Sequence, residues 1–272
     1  MAVDLHAYFA RIGIAPVHEP TRATLDAIVA AHIAAIPFEN LDVLLGTPIE
    51  LEPAAIEAKL VGRRRGGYCF EHNTLLLHVL DALGFAPRPY SARVRIGRAR
   101  DYTPARTHLF VGVELEGRPW LADVGVGGLS PTCSLRLDTS EPQPTPHETR
   151  RIVRDDGRWF HQALLGDSWV DVCEFTLEEM PEIDRIVANW YTSAHPGSHF
   201  KSRLTVARAL PDGGRLTILN RELTVRRRDG TADTHELRGP DELIGVLAER
   251  FGLAFPAGTR FTCPALDWPT AS

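Results

Sequence analysis

The chain has 272 residues, 44% of them hydrophobic, with 30 basic and 35 acidic side chains and a formal net charge of −5. That length and apolar content support a sizeable buried core, in one large domain or two to three small ones. Net negative charge removes the electrostatic case for nucleic acid, and no apolar run approaches the roughly 20 residues of a membrane span.

The N-terminus, Met-Ala-Val-Asp-Leu-His, has no basic stretch followed by an apolar one, which reads as a cytoplasmic protein. From Leu25 to Ile36, the apolar positions Leu25, Ile28, Val29, Ile33 and Ile36 recur at helical spacing until Pro37 stops the run. His32 lies on that apolar face, where a hydrogen-bonded core histidine is the expected role. The next loop, Pro37-Phe38-Glu39-Asn40-Leu41-Asp42, has no pattern that physics alone can interpret. A short helix is predicted over Pro53 to Val61, and the basic run Arg63-Arg64-Arg65 suits a solvated helix C-terminus.

Arg65-Gly66-Gly67-Tyr68-Cys69-Phe70-Glu71-His72-Asn73 is the stretch on which the chemistry centres. Two glycines permit a tight turn, and beyond it Leu76, Leu77, Leu80 and Leu83 fall on one helix face that Gly84 and Pro87 close. Cys69 therefore stands at a helix N-terminus, where the dipole and unpaired N–H groups favour a thiolate. The plainer alternative is a cysteine packed beneath the helix. Cys133, Cys173 and Cys263 are too few and too dispersed to build a disulfide framework with it, so free thiols are expected. Up to Leu83 the chain reads as helical.

After Pro87 the pattern changes to alternation with glycine turns, an all-β region. Leu109, Val111, Val113 and Leu115 form one face of a strand, with His108, Phe110 and Gly112 on the other. Glu116-Gly117 fits a two-residue hairpin loop. Leu115 then pairs with Arg118, Phe110 lies opposite Asp123, and His108 and Asp123 become diagonal neighbours about 7–8 Å apart at Cα. A three-residue loop with a bulge would change that register. Further turns are predicted at Asp156-Gly157, Pro211-Asp212-Gly213-Gly214 and Asp229-Gly230, with an extended surface loop over Glu141 to Pro146. Thr176 and Glu179 match a capping box ahead of a helix carrying Ile183, Ile186, Val187 and Trp190. From Leu204 the pattern is antiparallel strands and a helix from Asp241 to Phe251 ended by Gly252.

A thiolate candidate, a histidine and an aspartate side by side are the set that covalent acyl transfer requires. His108 would take the thiol proton, and Asp123 would fix the tautomer and orientation of the ring.

These segments resemble the arylamine N-acetyltransferases: Pro37 to Asp42, Arg65 to Asn73, Thr107-His108-Leu109, Asp123-Val124-Gly125, and Asn189-Trp190-Tyr191-Thr192-Ser193 followed by Phe200. The resemblance spans nearly the whole chain. It implies an α+β protein: a helical domain with the nucleophile (1–84), a β-barrel domain with the histidine and aspartate (85–175), a connecting helix (176–200) and an α/β lid domain (201–272). A papain-like Cys-His-Asp triad carries over to Cys69, His108 and Asp123. The reaction implied is ping-pong transfer from acetyl-CoA, through an acetyl-cysteine, to a small arylamine or hydrazine acceptor, with no metal, membrane or nucleic acid involved.

By the same resemblance Gly125, Gly127, Gly128 and Phe200 approach the cofactor, and Phe38, Val126 and Leu129 the acceptor. Val126 stands where the family pattern suggests an aromatic residue, so it either opens the acceptor pocket or packs inside the barrel. Three rivals stand beside it: a cysteine hydrolase or transglutaminase-like enzyme with the same triad, a non-catalytic CoA-binding module with the same fold and an inert thiol, and a metal site of Cys69, His72 and His108, against which the lack of a second close pair of ligands counts.

Overall fold

The computed structural model describes residues 3–269. Helices α1 (Leu5–Ile12), α2 (Arg22–Ala35), α3 (Leu41–Leu44), α4 (Pro53–Glu57) and α5 (Cys69–Ala82) make up most of the first region. Thr21 caps α2 by accepting from the Thr24 N–H, and the helix stops just short of Pro37. Its apolar face, Leu25, Ile28, Val29 and Ile33, packs with Tyr8, Phe9, Leu76 and Leu80 in one core. The helix predicted over 53–61 is interrupted: at Ala58 it widens into a π turn through Gly62, with the Arg63 N–H on the Ala58 carbonyl. Lys59, in that turn, is buried. The region is not purely helical either, because Phe38–Glu39 is a short strand, β1.

His32 takes the core role expected of it, within a chain of buried rings. Tyr8 Oη lies 2.9 Å from His32 Nδ1, His32 Nε2 lies 2.9 Å from His72 Nδ1, and His72 Nε2 lies 3.1 Å from the Pro37 carbonyl. A carbonyl only accepts, so His72 donates from Nε2; burial favours both rings neutral, in which case His72 accepts at Nδ1, His32 donates from Nε2, and Tyr8 donates to His32. Burial holds His32 well below its ordinary pKa and brings His72 down to about 4. Burial and the Arg150 charge bring His161 to about 3. Below about pH 6.5 the unfolded chain binds protons that these folded rings refuse, so stability falls as pH drops. The His72 displacement alone corresponds to roughly 3 kcal/mol between pH 6.5 and 4. Urea midpoints should decline steadily from pH 7 to about 4.5; a flat profile over that window would refute the neutral-ring chain.

The second region is a seven-stranded antiparallel sheet: β2 (Arg88–Val94), β3 (His108–Leu115), β4 (Arg118–Ala122), β5 (Leu135–Arg136), β6 (Arg150–Asp155), β7 (Arg158–Leu165) and β8 (Ser168–Glu179). The order is β5-β4-β3-β2-β8-β7-β6, and β5 and β6 approach each other, so the sheet curls into a nearly closed barrel. Phe110, Leu121, Leu135, Ile152, Val172 and Phe175 fill it. Leu115 pairs with Arg118 and Val111 with Ala122, the register expected for a two-residue loop. Glu116 and Gly117 both have positive φ, 53° and 69°, as the primed turn requires.

The capping box at Thr176 and Glu179 does not form. Both residues lie in β8, which pairs with β2 through Phe175↔Ala92 and Glu179↔Tyr90, and sheet pairing overrides the local helix signal. Helix α6 (Glu182–Ala194) starts after Pro181 instead. Its apolar positions also face the other way: Ile183 is 63% exposed and Trp190 59%, with Ile186 and Val187 likewise exposed. Ala188, Asn189 and Thr192 form the buried side.

After α7 (His199–Ser202) come β9 (Thr205–Ala209), β10 (Arg215–Leu219), β11 (Glu222–Arg226), β12 (Ala232–Glu236) and α8 (Pro240–Phe251), ended by Gly252 in the left-handed conformation. The sheet order is β1-β9-β10-β11-β12, so the first region supplies its edge strand. Leu243, Leu247 and Phe251 of α8 pack on Val206, Leu216 and Ile218. No helix among the described residues is long and apolar enough to cross a membrane.

Candidate active site

The turn before Cys69 is glycine for lack of space. A Cβ at Gly66 would sit 2.1 Å from the Pro37 carbonyl oxygen, and one at Gly67 would sit 2.5 Å from Glu71 Oε2. Cys69 opens α5, and the Tyr68 N–H donates to Glu71 Oε2 at 3.0 Å, the acidic half of a capping box. Lys59 binds the other Glu71 oxygen at 2.6 Å and Asp42 at 2.8 Å. Arg65 bridges Asp42 (2.8 Å) and Glu39 (3.1 Å), with its guanidinium over the Phe255 ring. The predicted solvated run therefore holds for Arg63 and Arg64 only, because Arg65 is drawn inward by two carboxylates. Three acids and two cations form a largely buried seat beneath the Cys69 turn.

His108 begins β3, and Asp123 follows directly on β4. His108 Nε2 donates to Asp123 Oδ2 at 2.6 Å, with both side chains almost fully buried. That leaves Nδ1 as the ring nitrogen free for Cys69, whose thiol donates to the carbonyl of the neighbouring Thr107 at 3.4 Å. Burial opposes charge on His108, but Asp123 and Cys69 outweigh it and push its pKa up to about 10. Burial likewise opposes the Asp123 anion, and the His108 charge with the Gly125 and Asn73 donors more than offsets it. A buried carboxylate that stabilises the protonated form of an imidazole, beside a thiol at a helix N-terminus, is the set of groups in which the imidazole can act as base toward the thiol. Burial drives the other thiols toward the protonated form: Cys133 up to about 11, Cys173 well above its ordinary value, and Cys263 upward.

The glycines after Asp123 also answer to crowding. A Cβ at Gly125 would lie 2.7 Å from Cys69 Cα, and one at Gly127 (φ 80°) would lie 3.0 Å from the Phe38 ring. At Gly128 the nearest atom would be Thr217 Cγ2, 3.2 Å away. This loop thus runs against Cys69, Phe38 and Thr217, and guanidiniums fix its far end: Arg150 on the Leu129 carbonyl and Arg215 on that of Ser130, both at 2.9 Å. Val126 and Leu129 belong to the barrel's apolar cluster with Phe110 and Leu121. Phe38 stands between His72 and Phe200, with ring centroids 6.3 and 6.1 Å away, and Phe200 lies 5.5 Å from Tyr68. Phe38, Val124 and Gly127 share a crevice of ≈ 10 Å³, about one water.

Two asparagines were missed in the sequence. Asn40 donates to the carbonyls of Phe200 (2.7 Å) and Arg203 (2.8 Å) and accepts from the Thr205 N–H, which fixes the backbone at Phe200, whose ring lies beside Phe38 and Tyr68. Asn73 joins α5 to Asp123. Both lie in the motif segments, but the direction of an amide is not readable from periodicity. The rival metal set Cys69, His72 and His108 is not assembled, since both His72 nitrogens are engaged by His32 and Pro37. Among the described residues, His108, Asp123 and Cys173 have ligand atoms within 4.8 Å of one another.

The profile of an N-acetyltransferase family matches residues 21–259. An arylamine N-acetyltransferase of Mycobacterium tuberculosis is 45% identical over 93% of this chain and 90% of that protein. An arylamine N-acetyltransferase / N-hydroxyarylamine O-acetyltransferase of Salmonella typhimurium is 39% identical over 93% of this chain and 90% of its own length. Among solved structures, Mycobacterium marinum arylamine N-acetyltransferase in complex with CoA superposes with a TM-score of 0.88 at 39% identity, covering 92% of this chain and 93% of that one.

Proposed function

The chain belongs to the arylamine N-acetyltransferase family, and on that footing we propose that it acetylates arylamines and arylhydrazines from acetyl-CoA through an acetyl-Cys69 intermediate. The observation that carries this reading is the 2.6 Å His108–Asp123 hydrogen bond beside a cysteine at the first position of α5. In the first half-reaction the Cys69 thiolate attacks the thioester carbonyl. CoA departs as the thiol with the proton from the His108 imidazolium, and the acetyl group remains on sulfur. In the second half-reaction the acceptor nitrogen attacks the acetyl carbon, His108 takes its proton, and Cys69 leaves as thiolate. Asp123 keeps the imidazole oriented and stabilises its charged form throughout.

Regions 1–84 and 85–175 then supply nucleophile and base respectively, and 201–272 is joined to the first of them through the β1–β9 pairing. Gly125, Gly127, Gly128 and Phe200 are assigned to the donor and Phe38 to the acceptor. Val126 and Leu129 are assigned to support of the loop, an assignment favoured by their burial in the barrel.

Intact-mass spectrometry after incubation with acetyl-CoA should reveal one acetyl group, located on Cys69 and discharged by an added arylamine. Discharge by water at the same rate with and without amine would favour a hydrolase. An adduct on Cys133, Cys173 or Cys263, with a Cys69→Ser protein still active, would overturn the mechanism.

A further inference from the structure

We propose that Asn73 is a positioning residue of the transfer reaction: it ties the helix bearing Cys69 to the hairpin bearing His108 and Asp123, and it reserves one Asp123 oxygen for His108 by occupying the other. The inference rests on the triad reading above.

Asn73 lies four residues after Cys69, one turn along the same face of α5, and is completely buried. Its Nδ2 donates to the Leu109 carbonyl at 2.6 Å and to Asp123 Oδ1 at 2.9 Å, and its Oδ1 accepts from the Val124 N–H at 3.1 Å. Both amide protons are spent, and the carbonyl is engaged. The opposite orientation of the amide would set oxygen against two acceptors and NH₂ against an N–H, so the environment admits one arrangement only. Leu109 adjoins His108, and Val124 adjoins Asp123. One side chain therefore fixes α5 against both strands at the residues next to the reacting pair.

The effect on Asp123 is specific. Oδ1 accepts from Asn73 and from the Gly125 N–H, each at 2.9 Å, while Oδ2 receives His108. Two neutral donors on one oxygen prevent the carboxylate from rotating and favour its ionised form. Gly125 leaves no slack, since a Cβ there would come 2.6 Å from Asn73 Nδ2 as well as 2.7 Å from Cys69 Cα.

The test measures Cys69 alkylation by iodoacetamide from about pH 5 to 9 in the full chain, for wild type, Asn73→Ala, Asp123→Asn and the double variant, with melting curves for each. Asn73→Ala should slow alkylation at neutral pH by roughly 10- to 100-fold, and its acid limb should move to higher pH. In the Asp123→Asn background the same change should cost at least several-fold less than in wild type, because the share of its effect that passes through the carboxylate is already lost. A lowered melting temperature with an unchanged pH profile, or a full independent effect in the Asp123→Asn background, would make Asn73 structural only and overturn the proposal. Should Asn73→Ala fail to fold, Asn73→Ser, which keeps a shorter donor, takes its place with the same expected profile shift. A wild-type Cys69 inert at neutral pH would remove the triad reading and this inference together; reactive wild type with unaffected variants removes the inference alone.

Discussion

Asp123→Asn is expected to fold and to lose on the order of 10³- to 10⁴-fold in acetyl transfer. The Asn73 and Gly125 donors at Oδ1 require an acceptor there, so the new amide must place its oxygen toward them and its NH₂ toward His108. That NH₂ donates to Nε2, which forces the ring proton onto Nδ1, the nitrogen left to accept from Cys69. A neutral imidazole with its proton on that side cannot accept the thiol proton. It also loses the charge that raises its basicity. Single-turnover acetylation by acetyl-CoA, with circular dichroism as the folding control, measures the loss. Activity within about tenfold of wild type would show that orientation by Asp123 contributes little.

The second large effect is expected on stability. Lys59→Met should destabilise the protein by about 3–5 kcal/mol, since it strands the buried carboxylates of Glu71 and Asp42 without their ammonium partner. Burial opposes the charge on Lys59, and Glu71, Glu39 and Asp42 more than compensate, so its pKa is raised. Removing it leaves Arg65 alone against three carboxylates. The Glu71 that accepts from the Tyr68 N–H would then protonate or move, and the start of α5 would loosen with it. Chemical denaturation at pH 7 should show the loss in the midpoint without a change in slope. A loss under about 1 kcal/mol would mean that solvent reaches the cluster.

What the sequence disclosed about this architecture was local. The Glu116-Gly117 loop determines its own register, because a two-residue turn with two positive φ values admits one pairing, and that pairing brings His108 to Asp123. The glycines before Cys69 and the leucines after it likewise mark a turn and a helix start without reference to the rest of the chain. Features that depend on distant partners were not visible. Periodicity in α6 showed an apolar stripe but not which side faces the protein. The buried side is determined by Asn189, which bonds the Tyr68 hydroxyl and the Ile49 carbonyl. Arg65 looked like its solvated neighbours because Glu39 and Asp42 lie more than 20 residues earlier. Thr176 and Glu179 carried a sound helix signal that lost to the β2–β8 pairing. The direction of Val126 was unreadable in a loop and became clear only with the barrel cluster around it. The chemistry of the acceptor came from resemblance, since no spacing of residues specifies an amine.

The placement of β1 has a consequence for the order of synthesis. Asn40 and Thr205, whose bond secures this edge, are 165 residues apart. At about 5–20 residues per second, β1 waits on the order of ten seconds at the ribosome before β9 exists to receive it. The backbone of Phe38 and Glu39 that pairs with β9 also pairs with the Gly67 turn under Cys69. A nascent or prematurely terminated chain thus carries Cys69 on a turn whose supporting strand still lacks one of its two partners.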